Sequence, residues 1–258
     1  MIKFNLKRKI IGLAVIAAVL PVVVMMILMG SFQSSVSRLT SKELGEVAMA
    51  NMAQIAKDVY GLCETSNDLI QKKINNGLNV ARNIVKLHKG IEPGKEKVTW
   101  DAVNQITKQT QKVELPKLTA GGAWLGQNRN LATPTPIVDE VKRLVGITCT
   151  IFQRMNEQGD MLRVATNVED LDKRRAIGTY IPAALPDQTP NPVIAAVLKG
   201  QSYRGLAYVV NTWYLTAYEP LTDKAGNIIG MLYVGEKLEA VASLRKAIMG
   251  MKVGKMGY

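Results

Sequence analysis

The stretch SYRGLAYVVNTWYLTAYEPLTDKAGNIIGMLYVG, Ser202–Gly235, decides the fold class. It divides into three runs, Ser202–Asn211, Trp213–Pro220 and Asn227–Gly235, broken at Asn211-Thr212 and at Thr222-Asp-Lys-Ala-Gly226. Strand-length runs around short turn-forming breaks predict a meander of antiparallel strands. Tyr214, Thr216 and Tyr218 then project to one side of the middle strand. Trp213 lies beside them in sequence, and Tyr203, Arg204 and Tyr208 fall on the preceding strand.

Working upstream, Asn191–Leu198 (NPVIAAVL) reads as a short helix, with Pro192 in its first turn and Gly200 beyond its end. Ile147–Met155 and Met161–Asn167 form a hairpin around a short loop containing Gly159. In its first strand Ile147, Cys149 and Ile151 share one face, and Thr148, Thr150, Phe152 and Arg154 share the other. Pro134–Val145 reads as a short helix, whereas Lys97–Gln105 and Lys112–Trp124 read as extended. Lys89–Gly94 is a breaker. Its Gly90…Gly94-Lys95 is not a phosphate-binding loop: one residue is missing between the glycines, and Glu96 stands where Ser or Thr would hold a metal.

From Ser41 to about His88 the period becomes helical, with apolar or small residues recurring from Leu44 to Val85. Asn75-Asn76-Gly77 marks a point where such a helix could break. The spacing suits pairing with another helix or a second copy of the chain, and equally packing on its own domain. Val241–Met251 again has a helical pattern. A long helix, then a mixed unit of helices and antiparallel strands, is an α+β architecture.

Ile10–Gly30 (IIGLAVIAAVLPVVVMMILMG) carries no charge and is long enough to cross a hydrocarbon core of about 30 Å as a helix. Lys3, Lys7, Arg8 and Lys9 precede it, which places the N-terminus in the cytoplasm. A cleaved signal peptide fits less well, because the run exceeds the usual apolar length of about 7–15 residues and no A-x-A-like site follows directly.

The 258 residues carry a net charge of +12, with only 5% aromatic side chains. No arginine-rich run or aromatic-basic stripe of a nucleic-acid surface is present. His88 is the chain's one histidine and stands near a helix end, so Ser-His-Asp and Cys-His chemistry have no support. HExxH, CxxC and CxxCH are absent, and with them any motif for zinc or covalent haem. The expectation is a non-enzyme without a cofactor. Asp139-Glu140 and Asp170/Asp172 read as solvated faces. Cys63, on a helix, and Cys149, on a strand, read as two buried thiols, although an exported protein could bond them.

Binding has better support than catalysis. Trp124, Arg163, Tyr203, Trp213, Tyr214 and Tyr218 are the candidate pocket residues: aromatic walls tipped with hydroxyls, and a guanidinium able to fork onto a carboxylate. Arg154 and Arg204 are alternatives for that cation. The same rings would also serve as half-buried core.

Three further blocks carry a resemblance: TCTIFQRMNEQGDMLRVATNV (Thr148–Val168), RRAIGTYIP (Arg174–Pro182) and Asn191–Gly235, preceded by CETSNDLIQKKINNGLNVAR (Cys63–Arg82) and GGAWLGQN (Gly121–Asn128). In order and spacing the sequence resembles the extracytoplasmic Cache-type sensor domain, and is similar to the Cache 3–Cache 2 fusion group of bacterial methyl-accepting chemotaxis proteins. The resemblance implies a PAS-like antiparallel sheet behind a long membrane-emerging helix. It also implies a periplasmic small-molecule pocket, homodimerisation, and signalling across the inner membrane. The expected organisation is a cytoplasmic N-terminus (1–9), a transmembrane helix (10–30), a long periplasmic helical segment (31–92), a Cache-type domain (93–240), and a helix with the start of a further unit (241–258). A second membrane helix, HAMP linker and methyl-accepting hairpin do not occur in these residues, so the chain resembles the sensory front of a receptor. A histidine kinase or diguanylate cyclase is the alternative output, and an anchored periplasmic enzyme or a purely structural dimer lies further off.

Overall fold

The computed structural model describes residues 6–238, with side chains described from residue 19 onward except at 35 and 37–41. The expected helix Val241–Met251 and the residues beyond it lie outside the described residues. The chain divides into two compact units, the boundary falling between Gly61 and Leu62.

Helix α1 (Leu6–Leu87) enters both units. In the first unit it contains the expected span 10–30 and keeps Pro21 inside the helix. The side chains from Val19 to Met29 and that of Phe32 are exposed apolar groups. Side chains of residues 10–18 lie outside those described, and among the described residues no helix is long and apolar enough to cross a membrane. Just past the apolar run, Ser31 Oγ donates to the Leu28 carbonyl at 2.9 Å and Ser34 Oγ to that of Ser31 at 2.9 Å.

In the second unit α1 lays Ile74, Leu78, Ala81 and Ile84 against the sheet, an apolar stripe at helical spacing. Gly77 does not break the helix. The strand opening at Thr148 passes so close that a Cβ at 77 would lie 1.9 Å from Ile147 Cδ1. The glycine gives Ile147 room to pack against the helix rather than forming a turn. After Leu87 the chain stops the helix with Lys89 and Gly90 at positive φ, Gly90 N–H donating to the Val85 carbonyl at 2.9 Å.

The strands are β1 (Ile91–Asn104), β2 (Thr110–Ala120), β3 (Ala123–Trp124), β4 (Thr148–Arg154), β5 (Met161–Thr166), β6 (Thr179–Ile181), β7 (Tyr203–Val209), β8 (Thr212–Thr222) and β9 (Ile228–Lys237). They form one nine-stranded sheet in the order β3-β2-β1-β6-β5-β4-β9-β8-β7. The closing meander β7–β8–β9 and the hairpin β4–β5 are as their patterns predict. The breaker at Lys89–Gly94 is corrected: β1 already begins at Ile91 and absorbs Pro93 and Gly94 in an irregularity between Pro93 and Lys97. β6 has no sequence signal of its own. It is a three-residue bridge, parallel to β1 and antiparallel to β5, that joins the two halves of the sheet.

One face of the sheet is covered by α1 and by α2 (Val138–Val145), around Cys149, Ile151, Leu232 and Val234. The other is covered by α3 (Pro192–Leu198), around Phe152, Met161, Tyr214, Tyr218, Met231 and Tyr233. Asn191 caps α3, its side chain accepting from Val193 N–H at 3.1 Å. Cys149 is buried and Cys63 exposed, both as free thiols, so the expectation of two buried thiols fails for Cys63.

Asp139 is not on a solvated face. Its carboxylate forks onto Arg175, which is 1% exposed, at 2.8 and 2.7 Å. His88 is partly exposed, with Nε2 3.6 Å from the Glu140 carboxylate.

Candidate ligand-binding site

The site lies on the α3 side of the sheet and can be read off the strand register. One row across β5, β4 and β9 is Arg163, Phe152 and Met231. The next is Thr166, Thr150, Tyr233, Tyr218 and Tyr203. The third is Thr148, Gly235, Thr216 and Gly205. Tyr214 follows between Lys237 and Ala207. Because side chains alternate along each strand, all these groups face the same way.

Arg163 reaches this face through a β-bulge. Ile151 pairs with Ala165, but the next residue, Phe152, pairs with Arg163, so Val164 is an extra residue in β5. Val164 and Ala165 both turn to the α1 side, and the alternation resumes with Arg163 pointing to the opposite side. Without the bulge, Arg163 would face α1.

The guanidinium is 1% exposed, with its Cζ 5.0 Å from the Phe152 ring centroid. Nη1 donates to Thr179 Oγ1 and, at 3.5 Å, to the Ala176 carbonyl, while Nε has no partner. No acidic side chain among the described residues pairs with it. Burial pushes its pKa below the ordinary arginine value, against the opposing influence of Tyr218, Tyr233 and Tyr214.

Burial also raises Tyr218 and Tyr233 above the ordinary phenol range, so their hydroxyls stay protonated. Thr148 Oγ1 donates to the Gly235 carbonyl at 2.6 Å, which leaves it to accept from the Tyr233 hydroxyl at 3.2 Å. Tyr218 stacks against Tyr233 at 5.0 Å and meets Tyr203 edge-on at 6.1 Å. Two glycines make room for these rings. A Cβ at Gly235 would lie 2.2 Å from the Tyr233 hydroxyl oxygen, and one at Gly205 would lie 2.9 Å from that of Tyr203. A groove of about 470 Å³ opens at the third and fourth rows, lined by Thr148, Tyr214, Gly235 and the rim residues Lys142, Glu169 and Lys237.

The structure thus brings Arg163, Tyr214 and Tyr218 together, with Tyr203 at the edge. Trp124 lies in β3 at the opposite edge of the sheet, with Lys117 Nζ 5.0 Å from its ring centroid. Trp213 is 51% exposed and meets Tyr208 edge-on on the α1 side. Of the alternative arginines, Arg154 donates to the Asn156 and Glu157 carbonyls of its own hairpin, and Arg204 to Asn75 of α1. Tyr233, not among the sequence candidates, joins Arg163, Tyr214 and Tyr218 on the α3 side, between Thr150 and Tyr218. Thr148, Thr150 and Phe152 share this face, as the alternation along β4 predicts.

No curated protein matches the sequence. Among solved structures, the E. coli DcuS sensor domain is 18% identical, with 43% of this chain and 70% of that chain covered and a TM-score of 0.28. The periplasmic domain of RsbU from Chlamydia trachomatis is 12% identical, with 78% of this chain and 57% of that chain covered and a TM-score of 0.36. The model of the Cache 3/Cache 2 fusion domain matches residues 37–258, and the chain belongs to that family.

Proposed function

We propose that this chain is the input part of a chemotaxis receptor, a periplasmic small-molecule sensor held in the bacterial inner membrane by residues 10–30. Residues 1–9 are cytoplasmic, 31–92 the long helical segment, 93–240 the sensor domain and 241–258 the start of a further unit. The ligand lies between the sheet and its covering loops, on Arg163, Tyr203, Tyr214, Tyr218 and Tyr233. Family membership supports the sensory role. The observation that carries the site is the buried guanidinium whose Nε is unpartnered among three tyrosines. An unpaired buried cation is costly and suits a site completed by an anion such as a carboxylate.

Thermal melting of the full chain in detergent against a panel of organic and amino acids tests this reading. At about 100 times its Kd the correct ligand stabilises by about 2.7 kcal/mol, which for a domain of this size raises Tm by about 5–10 °C. A folded sample that no ligand stabilises counts heavily against a ligand-binding pocket.

The protein works as a homodimer joined along α1. Met52, Ile55, Val59 and Leu62 follow one another at spacings of three and four, and Met52 is 52% exposed. Sedimentation of the detergent-solubilised chain is expected to give a dimer that Met52→Glu dissociates. A monomer at micromolar concentration contradicts it.

A further inference from the structure

Two buried arginines in this fold have opposite charge environments. Arg175 is neutralised by Asp139 and donates besides to the carbonyls of Asn130, Leu131, Thr133 and Thr166. Arg163 has neutral neighbours instead: Thr179, Ala176, the face of Phe152 and the surrounding tyrosines. At the rim of the groove the charges are mixed, Lys142 standing 3.9 Å from Glu169. The interior of the site therefore has one net positive charge and no second cation among the described residues.

Resting on the sensor reading above, we infer that Arg163 makes the site selective for a monocarboxylate with an uncharged aliphatic or aromatic body, against di- and tricarboxylates. One carboxylate on the guanidinium cancels the buried charge and takes up the idle Nε in a charge-assisted bond. A second carboxylate would be buried without a partner, at the cost that isolated charges carry in low dielectric. The remaining surface is ring carbon of Phe152 and the tyrosines, with the thioether of Met231, and it accepts an apolar body. Space for that body comes from rings that can rotate away: Tyr233 and Tyr203 now lie over Gly235 and Gly205.

The test is a melting series on the full chain in detergent at constant ionic strength. The probes are valerate and benzoate, their neutral amides, succinate and citrate. Valerate or benzoate is expected to raise Tm, whereas valeramide, benzamide, succinate and citrate leave it unchanged. Arg163→Met is expected to raise the Tm of the ligand-free protein by a few degrees, because it removes an unbalanced buried charge. The same change weakens monocarboxylate binding by about 100-fold or more. A structural arginine predicts the reverse, a lower Tm with ligand response intact, and that result overturns the inference. Stabilisation by succinate or citrate, or by the amides as well as the acids, overturns the selectivity and leaves the sensor standing. No response to any small molecule in a folded sample removes the sensor reading itself. The wild-type series decides the selectivity even if Arg163→Met does not fold.

Discussion

Gly230→Ala is expected to prevent folding or to lower Tm by more than about 8 °C, the largest effect of a single added methyl group among the described glycines. A Cβ at position 230 would stand 2.0 Å from the Phe152 carbonyl oxygen and 3.0 Å from its carbonyl carbon. Both are backbone atoms of β4, which is fixed on one side by β5 and on the other by β9 itself. Neither strand can retreat without opening a ladder at the centre of the sheet. The neighbouring contact gives no slack, because β9 is already irregular there: Leu221 pairs with Gly230 and Thr222 with Ile228. A cost above about 4 kcal/mol belongs to the extreme tail of point substitutions and approaches the whole stability of a small domain. Circular dichroism melting of the two proteins decides it, and a Tm within about 2 °C of wild type would contradict the close approach of β9 to β4.

Arg175→Met is expected to cost about 3 kcal/mol, a fall in Tm of roughly 6–12 °C. The guanidinium uses all three nitrogens: Nε to Asn130, Nη1 to Asp139 and Thr166, Nη2 to Asp139, Thr133 and Leu131. Its loss strands several carbonyls and leaves Asp139, among the described residues, with the Thr135 N–H at 2.7 Å. Asp139 is 31% exposed, so water recovers part of the loss and the effect stays at the lower end for a broken buried pair. Adding Asp139→Asn should restore part of the stability, because the stranded charge is then gone. A double variant as unstable as the sum of the two single ones would show that the pair is not coupled. Arginine-to-methionine thus has opposite expected signs at 163 and 175, and the partner of each explains the difference.

The elements legible in the sequence were those whose signals are local. The period of the closing strands, the glycine-containing loop of the β4–β5 hairpin, and Asn191-Pro192 at the start of α3 each carry their structure within a few residues. What was not legible depends on residues far apart. β6 exists because β1 and β5 flank it, and Asp139 reads as solvated until Arg175 is brought over it. Arg163 was nominated for its chemistry, but its direction is set by one extra residue in the pairing, which no single strand's pattern reveals. Trp213 was drawn in by proximity to Tyr214, yet adjacent residues on a strand face opposite sides. The same alternation that groups Tyr214 with Tyr218 turns Trp213 to the opposite face.

The contact at Gly77 limits how α1 can move. Ile147 fills the volume that a side chain at 77 would occupy, so it acts as an index pin along the helix. Screwing α1 by one residue, about 1.5 Å of rise with about 100° of turn, would drive the Cβ of Asn76 or Leu78 onto that pin. A screw motion of the helix past Ile147 is thereby opposed, while tilting of helix and sheet together is not.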